Sequence, residues 1–174
     1  VRNLKAELKI SPVGRNDNSS VYSFASNGIF FSGNHLRSFF MVFWNLYYHI
    51  VWAVKNRLPM ITEKIEPQLY GYIIKNVEKL DSVFYAIGGI EDHIHLIVSI
   101  PPRLAISDFI AKIKGGSSHY VKAELNNSSF CGWQQGYGVF SFGKKDLERA
   151  ISYVKNQKQH HNNGTTILKL EQIE

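Results

Sequence analysis

Gly89-Ile90-Glu91-Asp92-His93-Ile94-His95-Leu96-Ile97-Val98-Ser99-Ile100 is a run of β-branched and aliphatic residues carrying two histidines two positions apart. Successive side chains of a strand point to opposite faces, so His93 and His95 share one face and Ile94, Leu96, Val98 and Ile100 form a core face on the other. The imidazoles then stand about 6.5 to 7 Å apart along the strand. They could close on one metal ion if a third ligand arrives from elsewhere. An exposed pair of strand histidines is the plainer reading of so short a pattern.

The flanking segments supply the rest of a sheet. From Val42 to Lys55 apolar residues alternate, with Trp44, Leu46, Tyr48, Ile50, Trp52 and Val54 on one face and Asn45, Tyr47, His49, Val51 and Ala53 on the other, which predicts a long strand. A helix is expected from a Thr62 cap to Leu80, with its regular part beginning near Pro67. Ser82 to Ile90 reads as a second strand, joined to the histidine strand by a tight turn at Glu91-Asp92. Ser107 is the expected cap of another helix, interrupted near Gly115-Gly116 and resuming from Ser117 to Leu125. A fourth strand is expected over Gly136–Phe142 and a last helix from Gly143 to about His161. The tail carries a short apolar piece, Ile167-Leu168, without an assignable role.

The order β-α-β-β-α-β-α predicts an α+β fold, the split β-α-β (ferredoxin or RRM-like) arrangement. Two helices cover a four-stranded antiparallel sheet, and an added C-terminal helix bears Tyr153. The histidine face lies opposite the two helices, and the added helix is the element available to cover it. Residues 1–40 have no sustained period and read as a poorly structured extension, 41–161 as the domain, and 162–174 as a tail. Met41 is the suspected start of the functional domain.

The chain has 174 residues, 44% of them hydrophobic, enough for one domain with a proper core. With 20 Lys and Arg against 14 Asp and Glu, the net charge of +6 favours a polyanionic partner such as nucleic acid. The single cysteine, Cys131, excludes an internal disulfide or cysteine metal cluster and fits a reducing compartment, with the cytoplasm as default. The sequence offers neither a long apolar run nor a signal-peptide pattern, so membrane insertion or secretion is not expected.

On the last helix Tyr153 and Gln157 are four apart and border the Leu147/Ile151/Val154 stripe. A phenol is a weak nucleophile at neutral pH and needs an electrophile made unusually reactive. A divalent metal on a phosphodiester oxygen does that. His93 and His95 could hold such a metal, Mg²⁺ or Mn²⁺, with the Gln157 amide oxygen completing its protein ligands. A packing tyrosine with a wet hydroxyl is the competing reading of Tyr153.

His93-Ile94-His95, Gly136-Tyr137-Gly138-Val139-Phe140-Ser141 and Tyr153-x-x-x-Gln157, with the opening Phe43-Trp44-Asn45-Leu46-Tyr47-Tyr48-His49, resemble the single-tyrosine HUH transposases of small insertion sequences that move as single-stranded DNA. The resemblance spans about Met41 to His161. It implies that Tyr153 attacks single-stranded DNA to give a 5′-phosphotyrosine link and a free 3′-OH, with His93, His95 and Gln157 on the metal. It further implies hairpin DNA ends as ligand and a homodimer exchanging the tyrosine helix through a mobile connection, Gly143-Lys144-Lys145. Such a protein would be cytoplasmic and associated with the nucleoid when on DNA.

Lys112 and Lys114 are weaker candidates for phosphate contacts and Trp133 and Tyr137 for base stacking. His49 is expected as a hydrogen-bonded structural histidine, with assistance at the metal as the alternative if its strand adjoins the pair, and His160 and His161 as cations at a helix C-terminus. The rival functions are a domesticated nickase of chromosomal hairpins, a non-catalytic single-stranded nucleic-acid-binding module and a water-using metal-dependent hydrolase.

Overall fold

The computed structural model describes Phe24–Ala25, Gly28–Ile29 and residues 43–173, and the chain divides into two units, 1–43 and 44–174. In the first unit the two dipeptides pair antiparallel. The rest of the extension expected over 1–40, and the suspected start at Met41, lie outside the described residues.

The second unit runs β1 (Tyr47–Ala53), α1 (Glu66–Lys79), β2 (Val83–Ile90), β3 (His93–Ser99), α2 (Ile106–Ala123), β4 (Gly138–Phe142), α3 (Leu147–Lys155) and α4 (Gln157–Asn162). Its sheet has the order β2-β3-β1-β4, antiparallel throughout, which is the split β-α-β topology. Alternation decides the faces. Tyr48, Ile50 and Trp52 stand opposite Val98, Leu96 and Ile94. With Val54 and Ile100 they meet Leu69, Ile73 and Val77 of α1 and Phe109, Ile110, Ile113 and Val121 of α2 in the main core. Burying one such aliphatic or aromatic side chain is worth about 1.5 to 3 kcal/mol.

The opposite face carries the histidines. One register row crosses all four strands there, Gly88–His95–Val51–Gly138. His95 is flanked by Gly88 and Val51, and two glycines occupy the edge strands. A Cβ on Gly88 would stand 2.0 Å from the Val154 carbonyl oxygen, and one on Gly138 would stand 2.3 Å from that of Gln172. Both glycines therefore admit backbone directly onto the sheet. Val154 and Tyr153 pack with Ala86 and Ile97 in a second, smaller core, so α3 is the cover that the histidine face required.

Several boundaries differ from expectation. β1 begins only at Tyr47. Helix α1 begins at Glu66 with Pro67 in its first turn, and its N-cap Ile65 makes no side-chain cap bond. The expected break in α2 does not occur, and Ala105 rather than Ser107 is its N-cap. Gly116 faces Tyr72, whose hydroxyl would lie 2.9 Å from an added Cβ, and Tyr72 stacks on Tyr120 at 4.4 Å between ring centroids. That glycine serves helix-to-helix contact rather than a break. The single last helix is instead two, α3 and α4, parted at Asn156 (φ −102°, ψ 20°). The Asn156 side-chain amide donates to the Ser152 carbonyl at 2.9 Å, a local bond that competes with regular helix. Beyond α4, Leu168–Glu171 forms a short 3-10 turn.

Candidate functional site

β3 is flanked by β1 and β2, so His93 and His95 are held by ladder bonds on both sides. Their side chains are 1% and 0% exposed, and their rings lie 4.9 Å apart between centroids. The side-chain bonding of each imidazole involves its Nδ1. His93 Nδ1 lies 2.5 Å from Asp92 Oδ1, where only the imidazole can donate to the carboxylate. His95 Nδ1 lies 2.8 Å from His49 Nε2. Burial holds His49 neutral, pushed down to about 3, with the neighbouring His95 adding to the effect. The Glu171 carboxylate beside His95 Nε2 can only accept, so His95 carries its proton on Nε2 in this arrangement and its Nδ1 accepts from His49 Nε2. A cation in place of that carboxylate would take the Nε2 lone pair, with the His95 proton on Nδ1. Partners of this kind orient imidazole ligands toward a metal. His49 is thus the structural support expected of it.

The two Nε2 atoms converge on a residue to which no sequence pattern pointed, Glu171. Its Oε2 lies 3.2 Å from His93 Nε2, 3.2 Å from His95 Nε2 and 3.7 Å from His161 Nε2. Its Oε1 accepts the Tyr153 hydroxyl at 2.6 Å. Burial alone raises a carboxyl, but the His93 imidazole beside it and hydrogen bonds from His95 and Tyr153 hold Glu171 well below the usual carboxylate range. Burial opposes charging of His93, yet Asp92 and Glu171 raise it, whereas burial lowers His95. One atom each from His93, His161 and Glu171 lie mutually within 4.8 Å, a spacing suited to a shared cation.

Tyr153 projects from α3 onto this cluster and is 8% exposed. Its ring is edge-on to His95 at 6.2 Å and to His49 at 6.3 Å, and its oxygen accepts the Ile167 N–H at 3.0 Å. Burial raises the phenol, as does its bond to Glu171. Gln157, at the start of α4, is 1% exposed, and its Oε1 has no partner among the described residues. A buried amide oxygen without a partner is costly unless something accepts its lone pair. A hard divalent cation would do so, and the donor set of imidazole, carboxylate and amide oxygen fits one.

The other candidates separate. His161 stands in the last turn of α4, as expected of a residue at a helix C-terminus, but its ring lies over His93, with centroids 5.0 Å apart, and burial and the neighbouring His93 lower it rather than favour a cation. His160 lies 4.8 Å from the Tyr153 ring and bonds Thr165. Lys114 gives its ammonium to the carbonyls of Gln134, Gln135 and Gly136 at 2.8, 3.2 and 2.8 Å. It ties down the loop before β4 instead of presenting a free cation. Trp133 is turned inward onto Trp52 and Phe130, with its indole N–H on Ser117 Oγ at 2.9 Å, and is not offered to a base. Lys112 is exposed on α2, which packs on the face opposite the histidines, and Tyr137 is 38% exposed.

No helix among the described residues is long and apolar enough to cross a membrane. The four-stranded sheet with its helices has counterparts among solved structures. A REP-associated tyrosine transposase bound to a REP hairpin superposes with a TM-score of 0.52 at 18% identity, over 70% of each chain. A crystal structure of a Deinococcus radiodurans R1 protein classed as a transposase gives 0.54 at 21% identity, over 70% of this chain and 98% of that one. The transposase of insertion sequence IS200 from Salmonella typhimurium is 31% identical over 134 residues, 70% of this chain and 82% of that protein. The ISDra2 transposase TnpA of Deinococcus radiodurans is 23% identical over 120 residues, 66% of this chain and 85% of that protein. The family model described as "Transposase IS200 like" matches residues 42–157, and the chain belongs to that family of insertion-sequence transposases.

Proposed function

We propose that this transposase cleaves and rejoins single-stranded DNA through a covalent 5′-phosphotyrosine at Tyr153, with Mg²⁺ or Mn²⁺ held by His93, His95 and Gln157. One observation carries the reading: a single carboxylate, Glu171, touches the Tyr153 hydroxyl at 2.6 Å and both inward imidazole nitrogens at 3.2 Å. On this reading the nucleophile and the two histidine ligands lie within the span of one small oxyanion, which suits attack on a metal-bound phosphate.

A divalent ion there would polarise a phosphodiester oxygen and ease departure of the leaving oxygen. Tyr153 oxygen would bond to phosphorus as the bond to the 3′-oxygen breaks, the phenol proton passing to solvent and the 3′-oxygen taking one up. One phosphoester replaces another, so a DNA 3′-OH can reverse the step without ATP. Asp92 and His49 would keep the imidazole lone pairs inward. The hairpin ligand of the solved relative supports hairpin DNA as the substrate class. Lys112 and the exposed Tyr137 are the remaining candidates for strand contacts, and a homodimer exchanging α3 through Gly143-Lys144-Lys145 is part of the reading.

The test is a denaturing gel of the protein with labelled single-stranded hairpin DNA and Mn²⁺ or Mg²⁺, with Tyr153→Phe and a His93→Ala/His95→Ala double variant alongside. A metal-dependent adduct lost in Tyr153→Phe is the expected result. Binding without adduct on cleavable DNA would favour a non-catalytic module.

A further inference from the structure

The site just described is closed to a polymer. Tyr153 is 8% exposed, and His93, His95 and Gln157 are at most 1% exposed, so no phosphate of a DNA strand can reach them as they stand. The residues after α4 supply much of the closure. The Ile167 N–H donates to the Tyr153 oxygen at 3.0 Å, and Glu171 takes the Tyr153 proton-bearing bond at 2.6 Å. Both hydrogen-bonding functions of the phenol are thereby occupied by one segment. The carboxylate then reaches the imidazoles with its other oxygen.

We propose that Ile167–Glu171 is a self-inhibiting strap, in which the Glu171 carboxylate stands in for the scissile phosphate and must be displaced by the incoming DNA strand. This rests on Tyr153 being the nucleophile. A phosphate under attack has one oxygen at the metal site and its phosphorus beside the phenol oxygen, and a carboxylate bridging the same two sets of groups has the same charge sign and similar reach. Within the strap apolar anchoring is slight, although the Gln172 backbone just beyond it rests on Gly138. Ile167 and Leu168 are 49% and 80% exposed, and only Leu170 joins the second core. Its hold therefore depends largely on the polar contacts that a phosphate can replace. A polyanion competing for the same imidazoles shifts the closed and open populations through its differential affinity for the open one.

The alternative is that Glu171 is a permanent metal ligand. In that arrangement the strap stays in place and Tyr153 stays covered, which a DNA substrate does not permit.

The experiment uses the full chain as wild type, Glu171→Ala, Ile167→Pro and Tyr153→Phe. Each is incubated with Mn²⁺ and a labelled library of single-stranded hairpin oligonucleotides, and the initial rate of covalent adduct formation is read. Mn²⁺ binding is followed in parallel by the loss of the free-ion EPR signal. If the strap is closed in most molecules, opening it raises the adduct rate by roughly tenfold in Glu171→Ala, with Mn²⁺ binding retained. Should Glu171→Ala fail to fold by circular dichroism, Ile167→Pro, which lacks the N–H bonded to Tyr153, decides by the same criterion.

A rate at or below wild type overturns the strap, and one that falls together with Mn²⁺ binding makes Glu171 a ligand instead. An adduct that persists in Tyr153→Phe sinks the nucleophile reading. A Tyr153-dependent adduct with unaltered rates sinks the strap alone, and no adduct from any chain sinks both.

Discussion

Gly88→Ala should dislodge the nucleophile while leaving the two histidine ligands in place; Gln157, three residues past the contact, moves with the helix. The added methyl would stand 2.0 Å from the Val154 carbonyl oxygen, about 1.4 Å inside an ordinary contact at 3.4 Å. The obstacle is backbone on both sides, the last turn of α3 against a paired strand, so no side chain can rotate away. The helix must lift, and Tyr153 is the residue next to the point of contact. Overpacking of this kind costs about 1 to 3 kcal/mol, which lowers the urea midpoint by roughly 1 M at a typical slope. A displacement of the order of 1 Å at a reacting atom can cost about 100-fold in rate. The assays are urea unfolding, Mn²⁺ binding and single-turnover adduct formation. Adduct formation should fall by about two orders of magnitude, with Mn²⁺ binding weakened far less because the two histidines stay in place. A variant with the wild-type midpoint and adduct rate would refute the argument that Gly88 is what lets α3 reach the histidine face.

Three further outcomes are expected. His49 is held neutral to about pH 3 against an ordinary value of 6.5. The unfolded chain therefore binds the extra proton between those values, and stability falls as pH drops through that window, by about 2 kcal/mol at pH 5. Urea midpoints from pH 7 to 5 should show this slope reduced in His49→Phe, and equal slopes would contradict it. Lys114→Met should cost about 1 to 3 kcal/mol by leaving the carbonyls of Gln134, Gln135 and Gly136 without their donor. The salt dependence of DNA binding should stay unchanged, whereas a slope reduced by about one would make Lys114 a phosphate contact. Chelation by EDTA should abolish the adduct while hairpin binding, followed by anisotropy, survives; loss of both would tie the metal to binding rather than to cleavage.

The sheet was legible because its signal is local. Alternation around Ile50 and Trp52 and around Ile94 and Leu96 fixes two faces whatever the rest of the chain does. The turn at Glu91-Asp92 then fixes their neighbour. The glycines were harder to read: Gly115-Gly116 suggests a break until Tyr72 is seen to occupy the space. Asn156 looks like an ordinary helical residue until its side chain takes the Ser152 carbonyl. Glu171 could not be found from sequence, since its segment, Leu168-Lys169-Leu170-Glu171, has no diagnostic period and meets the histidines only through the fold. Two features hinted at it: a buried histidine pair needs a counter-charge, and Ile167-Leu168 is an apolar piece otherwise without purpose.

The two halves of the site rest on elements of unequal security. The histidines lie on β3, a strand paired on both sides and backed by the main core. Tyr153 lies on a nine-residue helix that joins only the smaller cluster. Proteins open in cooperative pieces, and the least buried pieces open first. On warming, amide exchange should become rapid in α3 and α4 while β1 and β3 remain protected. The chain would then pass through a species that keeps its histidine pair in place but no longer presents a nucleophile, so its loss of strand transfer would precede its loss of fold.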